Sequence, residues 1–116
     1  MIGSRNILIY VSGPITPTER FPDLKANRQR ILDKSKELFD RGYSVYCPVT
    51  AWEAGTDGYD EHYENLLAMD KEIVKRCDTL YLLQGWEHSK GACKENAWAT
   101  EYGLLILHEP PQGEDS

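Results

Sequence analysis

Two carboxylates and a phenol are the residues of this chain whose type and spacing could do chemistry: Glu95, Asp70 and Tyr10. Glu95 falls on one helical face with Ala92, Ala99 and Tyr102, at intervals of three and four, while Lys90, Lys94 and Glu101 turn to water. A lone carboxylate on an inward face is expensive to bury, so it must be partnered or reactive. Asp70 is the one charged member of a second stripe, Tyr63, Leu66, Leu67, Asp70, Ile73 and Val74. Tyr10 sits in a run of strand-forming residues. A carboxylate beside a tyrosine hydroxyl, walled by Trp52 or Trp86, suits attack on the anomeric carbon of a sugar. The carboxylate takes the glycosyl group covalently, and water or a second acceptor removes it. The tyrosine orients the carboxylate, and the aromatic walls hold a planar base.

The elements that must position these groups alternate. Asn6 to Val11 reads as a buried first strand ending at Ser12-Gly13-Pro14, where Gly13 admits close approach of backbone to a ligand and Pro14 stiffens the exit. A helix is expected from Phe21-Pro22-Asp23 to about Arg41, with Leu24, Ile31, Leu38 and Phe39 inward and Gly42 as its stop. Tyr43 to Cys47 is a second strand closed by Pro48, and a long loop from Val49 to about Glu61 carries Trp52. The Asp70 helix runs from Tyr63 to about Lys75. A third strand, Leu80 to Leu83, breaks at Gln84-Gly85 and passes to a helix capped by Ser89, whose free N–H groups welcome an anion. Gly103 and a last strand, Leu104 to Leu107, follow. This order implies βαβ units and the expected fold class: α/β, a three-layer Rossmann- or flavodoxin-like parallel sheet of about four to five strands with helices on both faces. Its carboxyl edge gathers Tyr10 to Pro14, Pro48 to Trp52 and Gln84 to Ser89.

The chain has 116 residues, enough for one domain, read as 1–108 with a frayed acidic tail at 109–116. A net charge of −6 provides no basic stripe for a phosphate backbone, so no nucleic-acid partner is expected. Cys47, Cys77 and Cys93 lack paired spacing, and His62, His88 and His108 lack zinc-ligand spacing, so reduced thiols and no metal are expected. The apolar run Ile7 to Val11 is too short for a membrane span, which implies a cytoplasmic protein with no membrane partner.

Tyr10-Val11-Ser12-Gly13-Pro14, Asp78 heading a strand, and Ser89-x-Gly91-x-x-x-Glu95 resemble the nucleoside 2-deoxyribosyltransferase-like superfamily, from Ile7 to about Leu107. Within it the chain looks like the small phage and bacterial branch of DUF4406 domains, which for a phage-encoded copy implies the host cytoplasm. The resemblance implies an N-glycosidase or deoxyribosyltransferase with Glu95 as nucleophile and Tyr10 as its positioner. Asp70 and Asp78 are implied to help prepare the site or bind the base. At Ser89 the transferases carry an aspartate, and the chain is more similar there to nucleoside 5′-monophosphate N-glycosidases. A hydroxyl at a helix N-terminus suits a phosphate that an aspartate would repel. Ser12, Gly13, Pro14, Ser89 and Gly91 thus read as substrate-binding, together with Trp52, Asp78 and Trp86. No cofactor is required, and a homodimer is implied.

The same residues carry blander readings. Glu95 facing solvent, Asp70 paired with Arg76, Asp78 in a turn, Tyr10 in the core, Ser89 as an N-cap alone and the tryptophans as packing or dimer contacts would leave a nucleotide-binding module without turnover. A purely structural protein leaves two inward acids unexplained.

Overall fold

The strands are short and apolar on both sides because each side is covered by helices. The computed structural model describes residues 3–49 and 63–111. In chain order the elements are β1 (Leu8–Ser12), α1 (Leu24–Asp40), β2 (Ser44–Tyr46), α2 (Tyr63–Arg76), β3 (Thr79–Leu82), a 3₁₀ turn (Trp86–His88), α3 (Lys90–Tyr102) and β4 (Leu105–His108). The four strands form one parallel sheet in the order β2-β1-β3-β4. The α/β sheet expected from the alternating pattern is therefore present, with four strands.

Strand alternation sorts the core into two layers. Ile9 and Val11 join Ile31 and Leu38 of α1, with Leu83, on one side. Tyr10, Leu80 and Leu82 join Val74 of α2 and Ala99 of α3 on the other. Full burial of a side chain such as Ile31 or Leu80 stabilises by roughly 1.5–3 kcal/mol. β1 leads outward to β2 and β3 leads outward to β4, so their carboxyl ends part. That divergence opens the crevice in which open parallel sheets hold ligands.

α1 corrects its expected inner face. Asp23 is the N-cap, its Oδ1 accepting from Lys25 and Ala26 N–H at 3.0 and 3.3 Å, so Pro22 lies outside the helix. The buried positions are Asn27, Ile31, Ser35 and Leu38, whereas Leu24 is 46% and Phe39 54% exposed. Arg5 lies 4.2 Å over the Phe39 ring, which gives that aromatic a cationic lid in place of a core. Asn27 is polar for a reason. Its Nδ2 donates to Ile15 O at 3.2 Å and Phe21 O at 2.9 Å, pinning the loop that follows β1.

Glu109, expected to fray, is held in place. Glu109 Oε1 accepts from the Gln84 N–H at 3.0 Å and from Arg30 at 3.2 Å, so Glu109 is tied to the end of β3 and to α1. Residues 112–116 lie outside the described residues. Among the described residues no helix is long and apolar enough to cross a membrane, and no disulfide joins the three cysteines.

Candidate active site

Glu95 is delivered by the first turns of α3. Ser89 caps that helix, its Oγ accepting from the Ala92 N–H at 3.2 Å. Ala92, Glu95 and Ala99 are the buried face, and the two alanines let the helix lie close on the sheet. The carboxylate then meets β1. Tyr10 Oη donates to Glu95 Oε2 and Ser12 Oγ to Oε1, each at 2.5 Å. Residues 10 and 12 point to the same side of a strand because its side-chain period is two. One hydroxyl per oxygen fixes the plane of the carboxylate, and such charge-assisted bonds are the strong, short kind.

The electrostatics are those of a shielded acid. Glu95 is 8% exposed, and burial pushes its pKa up to about 7 although the Ser12 and Tyr10 hydrogen bonds pull it down. Asp70, reaching in from α2 and also buried, is raised to about 7 by burial and then by the charge of Glu95. Two buried carboxyls near each other resist carrying two charges, so the pair holds a proton into the neutral range. Burial first, and Glu95 next, raise Tyr10 well above the usual phenol range, so it remains a donor.

Glu95 and Asp70 line a cavity of about 560 Å³. Gly13, Ser89 and Gly91 line it too, so the structure brings five of the expected site residues to one hollow. Leu24 and Leu67 supply apolar wall, Arg28 and Lys90 supply cationic groups and His88 an imidazole, on the same cavity as the N-terminus of α3. Among the described residues, nothing other than the chain neighbours and the helix's own backbone lies within 4 Å of where a Cβ on Gly91 would stand, so the missing side chain leaves open space at that terminus.

Other expected residues go elsewhere. The Ser12 hydroxyl is spent on Glu95, which withdraws it from a phosphate cradle. Pro14 is buried and packs toward Gly85. Gly13 is required by its neighbour, since a Cβ there would lie 2.9 Å from Leu83 Cβ. Asp78 stands at the amino end of β3, away from the crevice, where its Oδ2 accepts the Leu8 N–H at 2.8 Å and ties β1 to β3. An acid heading a strand is free to make such a tie because the first backbone donors there lack ladder partners. Trp86 packs against the α2–α3 layer with its ring 5.9 Å from that of His108, and it is not part of the cavity wall. Trp52 lies outside the described residues.

Sequence reasoning missed Arg28, Leu24 and Tyr46. Leu24 was expected inward on α1 and Arg28 had no assigned role, yet both line the cavity beside the loop after β1. Tyr46 pairs with Tyr10 in the parallel register, their ring centroids 5.2 Å apart. Its place beside Pro48 at a strand end was the available signal. Among the described residues no group of three His, Cys, Asp or Glu is placed to hold a metal ion. The family model described as "Domain of unknown function (DUF4406)" matches residues 7–108. No curated protein matches the chain.

Proposed function

We propose that this chain, which belongs to the DUF4406 family, is a nucleotide-processing enzyme acting at the N-glycosidic bond of a nucleoside 5′-monophosphate. The observation that carries the reading is Glu95 held between the Tyr10 and Ser12 hydroxyls at the wall of a 560 Å³ hollow. A hollow of that size suits a small ligand. An ionised carboxylate fixed by two donors and faced by empty space is a nucleophile in waiting.

In the reaction Glu95 attacks C1′ as the C1′–N bond breaks, and the bonding pair leaves with the base. Asp70, holding a proton near neutral pH, gives it to the departing nitrogen or its conjugated acceptor. The resulting glycosyl ester is opened by water, whose proton returns to Asp70; a second base in place of water gives transfer. Apolar wall from Leu24 and Leu67 suits the planar base. The N-terminus of α3, with Arg28, His88 and Lys90 nearby, suits a 5′-phosphate. The nucleoside 2-deoxyribosyltransferase-like resemblance supports the same assignment.

The test is incubation with a panel of nucleoside 5′-monophosphates, free base being measured by chromatography. Release by the native chain is expected, with at least a thousandfold loss in Glu95→Gln. Tight binding with no release by the native chain would identify a non-catalytic nucleotide-binding module instead.

A further inference from the structure

Buried polar atoms in folded proteins find hydrogen-bond partners, so the exceptions need a cause. Among the described residues three buried side-chain atoms have none: Arg30 Nη1, Tyr46 Oη and Asp70 Oδ1. Arg30 belongs elsewhere, its Nη2 bonded to Gln84 O and Glu109 and its guanidinium 4.2 Å over the Phe21 ring. The other two flank Glu95. Asp70 lines the cavity, and Tyr46 lies beside Tyr10, which holds Glu95.

These two atoms are complementary. Asp70 Oδ1 is an acceptor. The Tyr46 phenol is pushed up to about 12 by burial and then by the Asp70 and Glu95 charges, so it keeps its proton and is a donor. A group that gives one hydrogen bond and takes one satisfies both, and a hydroxyl is such a group. Stereochemistry says which hydroxyl. A nucleophile displacing the base of a β-nucleoside approaches C1′ from the face opposite the base. On ribose the 2′-hydroxyl projects on that same face, from the adjacent carbon. It therefore arrives next to Glu95, and bonds to this hydroxyl strengthen in transition states of glycoside cleavage.

We propose that Asp70 Oδ1 and Tyr46 Oη form a subsite for the 2′-hydroxyl, making the substrate a ribonucleotide in preference to its 2′-deoxy counterpart. The inference rests on Glu95 being the nucleophile. It is compatible with proton delivery by Asp70, because a carboxylic acid offers one accepting oxygen and one donating hydroxyl, and the substituents of C1′ and C2′ are neighbours.

Binding separates this subsite from turnover, and from the intrinsically faster cleavage of deoxyribosides. The four common ribonucleoside 5′-monophosphates and their 2′-deoxy forms are titrated calorimetrically into Glu95→Gln, and into the same protein carrying Tyr46→Phe. The preferred ribonucleotide should bind about tenfold tighter than its deoxy form, because a deoxy ligand leaves both polar groups unpaired. Tyr46→Phe should reduce that ratio to below about threefold. Equal binding of the two sugars, or a ratio indifferent to Tyr46→Phe in protein with native circular dichroism, overturns the subsite. If the double variant does not fold, the ratio in Glu95→Gln alone decides. Base release by the native chain from both sugars with no binding preference sinks the subsite and spares the enzyme. A ribose preference with no release does the reverse, and no binding of any nucleotide overturns both.

Discussion

A carboxylate buried beneath a helix is destabilising unless its oxygens are engaged, and Glu95 has each oxygen engaged by a different hydroxyl. Tyr10→Phe removes one of the two while keeping the ring in its 0% exposed slot, so the fold should survive. Two effects should follow from the lost bond. Orientation of the nucleophile loosens, and kcat/KM should fall roughly 10–100-fold. The Tyr10 hydrogen bond lowers the Glu95 pKa, so its loss raises that pKa, and the acid limb of the pH–rate profile should move to higher pH. Steady-state kinetics from pH 5 to 9 reads both; an unmoved acid limb would mean that Glu95 is not the group titrating there. At this scale the sequence was informative about Glu95 and Asp70, because helical periodicity fixes facing. It misread Ser12 as a substrate contact, because the partner that engages it lies 83 positions away.

At the scale of elements, the first turn of α3 does two jobs. It closes its own N-terminus with Ser89, and it leaves Gly91 uncovered beside the hollow. Glycine within a helix costs roughly 0.5–1 kcal/mol relative to alanine. With no described side chain or other element within 4 Å of the new Cβ, Gly91→Ala should gain about that much stability. The added methyl would stand where the phosphate is proposed to approach, so nucleoside monophosphate affinity should drop about tenfold while the melting temperature rises. Thermal melts and calorimetric titration test the pair of effects, and a gain in stability with unchanged affinity would move the phosphate away from α3. Element boundaries were legible from Ser89, Gly42 and Gly103. The inner face of α1 was not, because Asn27 and Ser35 are buried by hydrogen bonds to Ile15 O, Phe21 O and Ile31 O, which hydropathy does not register.

For the molecule as a whole, a site with two raised acids is a source of instability. Both Asp70 and Glu95 move from ordinary values of 3.8 and 4.5 up to about 7. The folded chain then binds these protons more tightly than the unfolded chain. The contribution of the pair is fully present below about pH 4 and is lost as pH rises through about 7. Asp70→Asn abolishes one of the two titrations, so at pH 8 it should be more stable than the native chain by about 1–2 kcal/mol. That corresponds to ~4–8 °C per kcal/mol for a domain of this size, and the difference should shrink toward pH 5. Melting curves at the two pH values check it, and a variant less stable at pH 8 would mean that Asp70 is held by favourable interactions. The sign matches the general trade between activity and stability at functional sites.

The order of strands and helices, the parallel α/β class and the inward direction of Glu95 and Asp70 were settled by the sequence alone, since each depends on local periodicity. Which groups meet was decided only by the tertiary structure. The parallel register sets Tyr46 beside Tyr10, the packing of α3 on β1 spends Ser12 on Glu95, and the tie from Asp78 to Leu8 takes that acid to the opposite edge. Periodicity reports the direction in which a side chain points. What stands at the other end of it is fixed by how distant elements pack, and no spacing within one element encodes that.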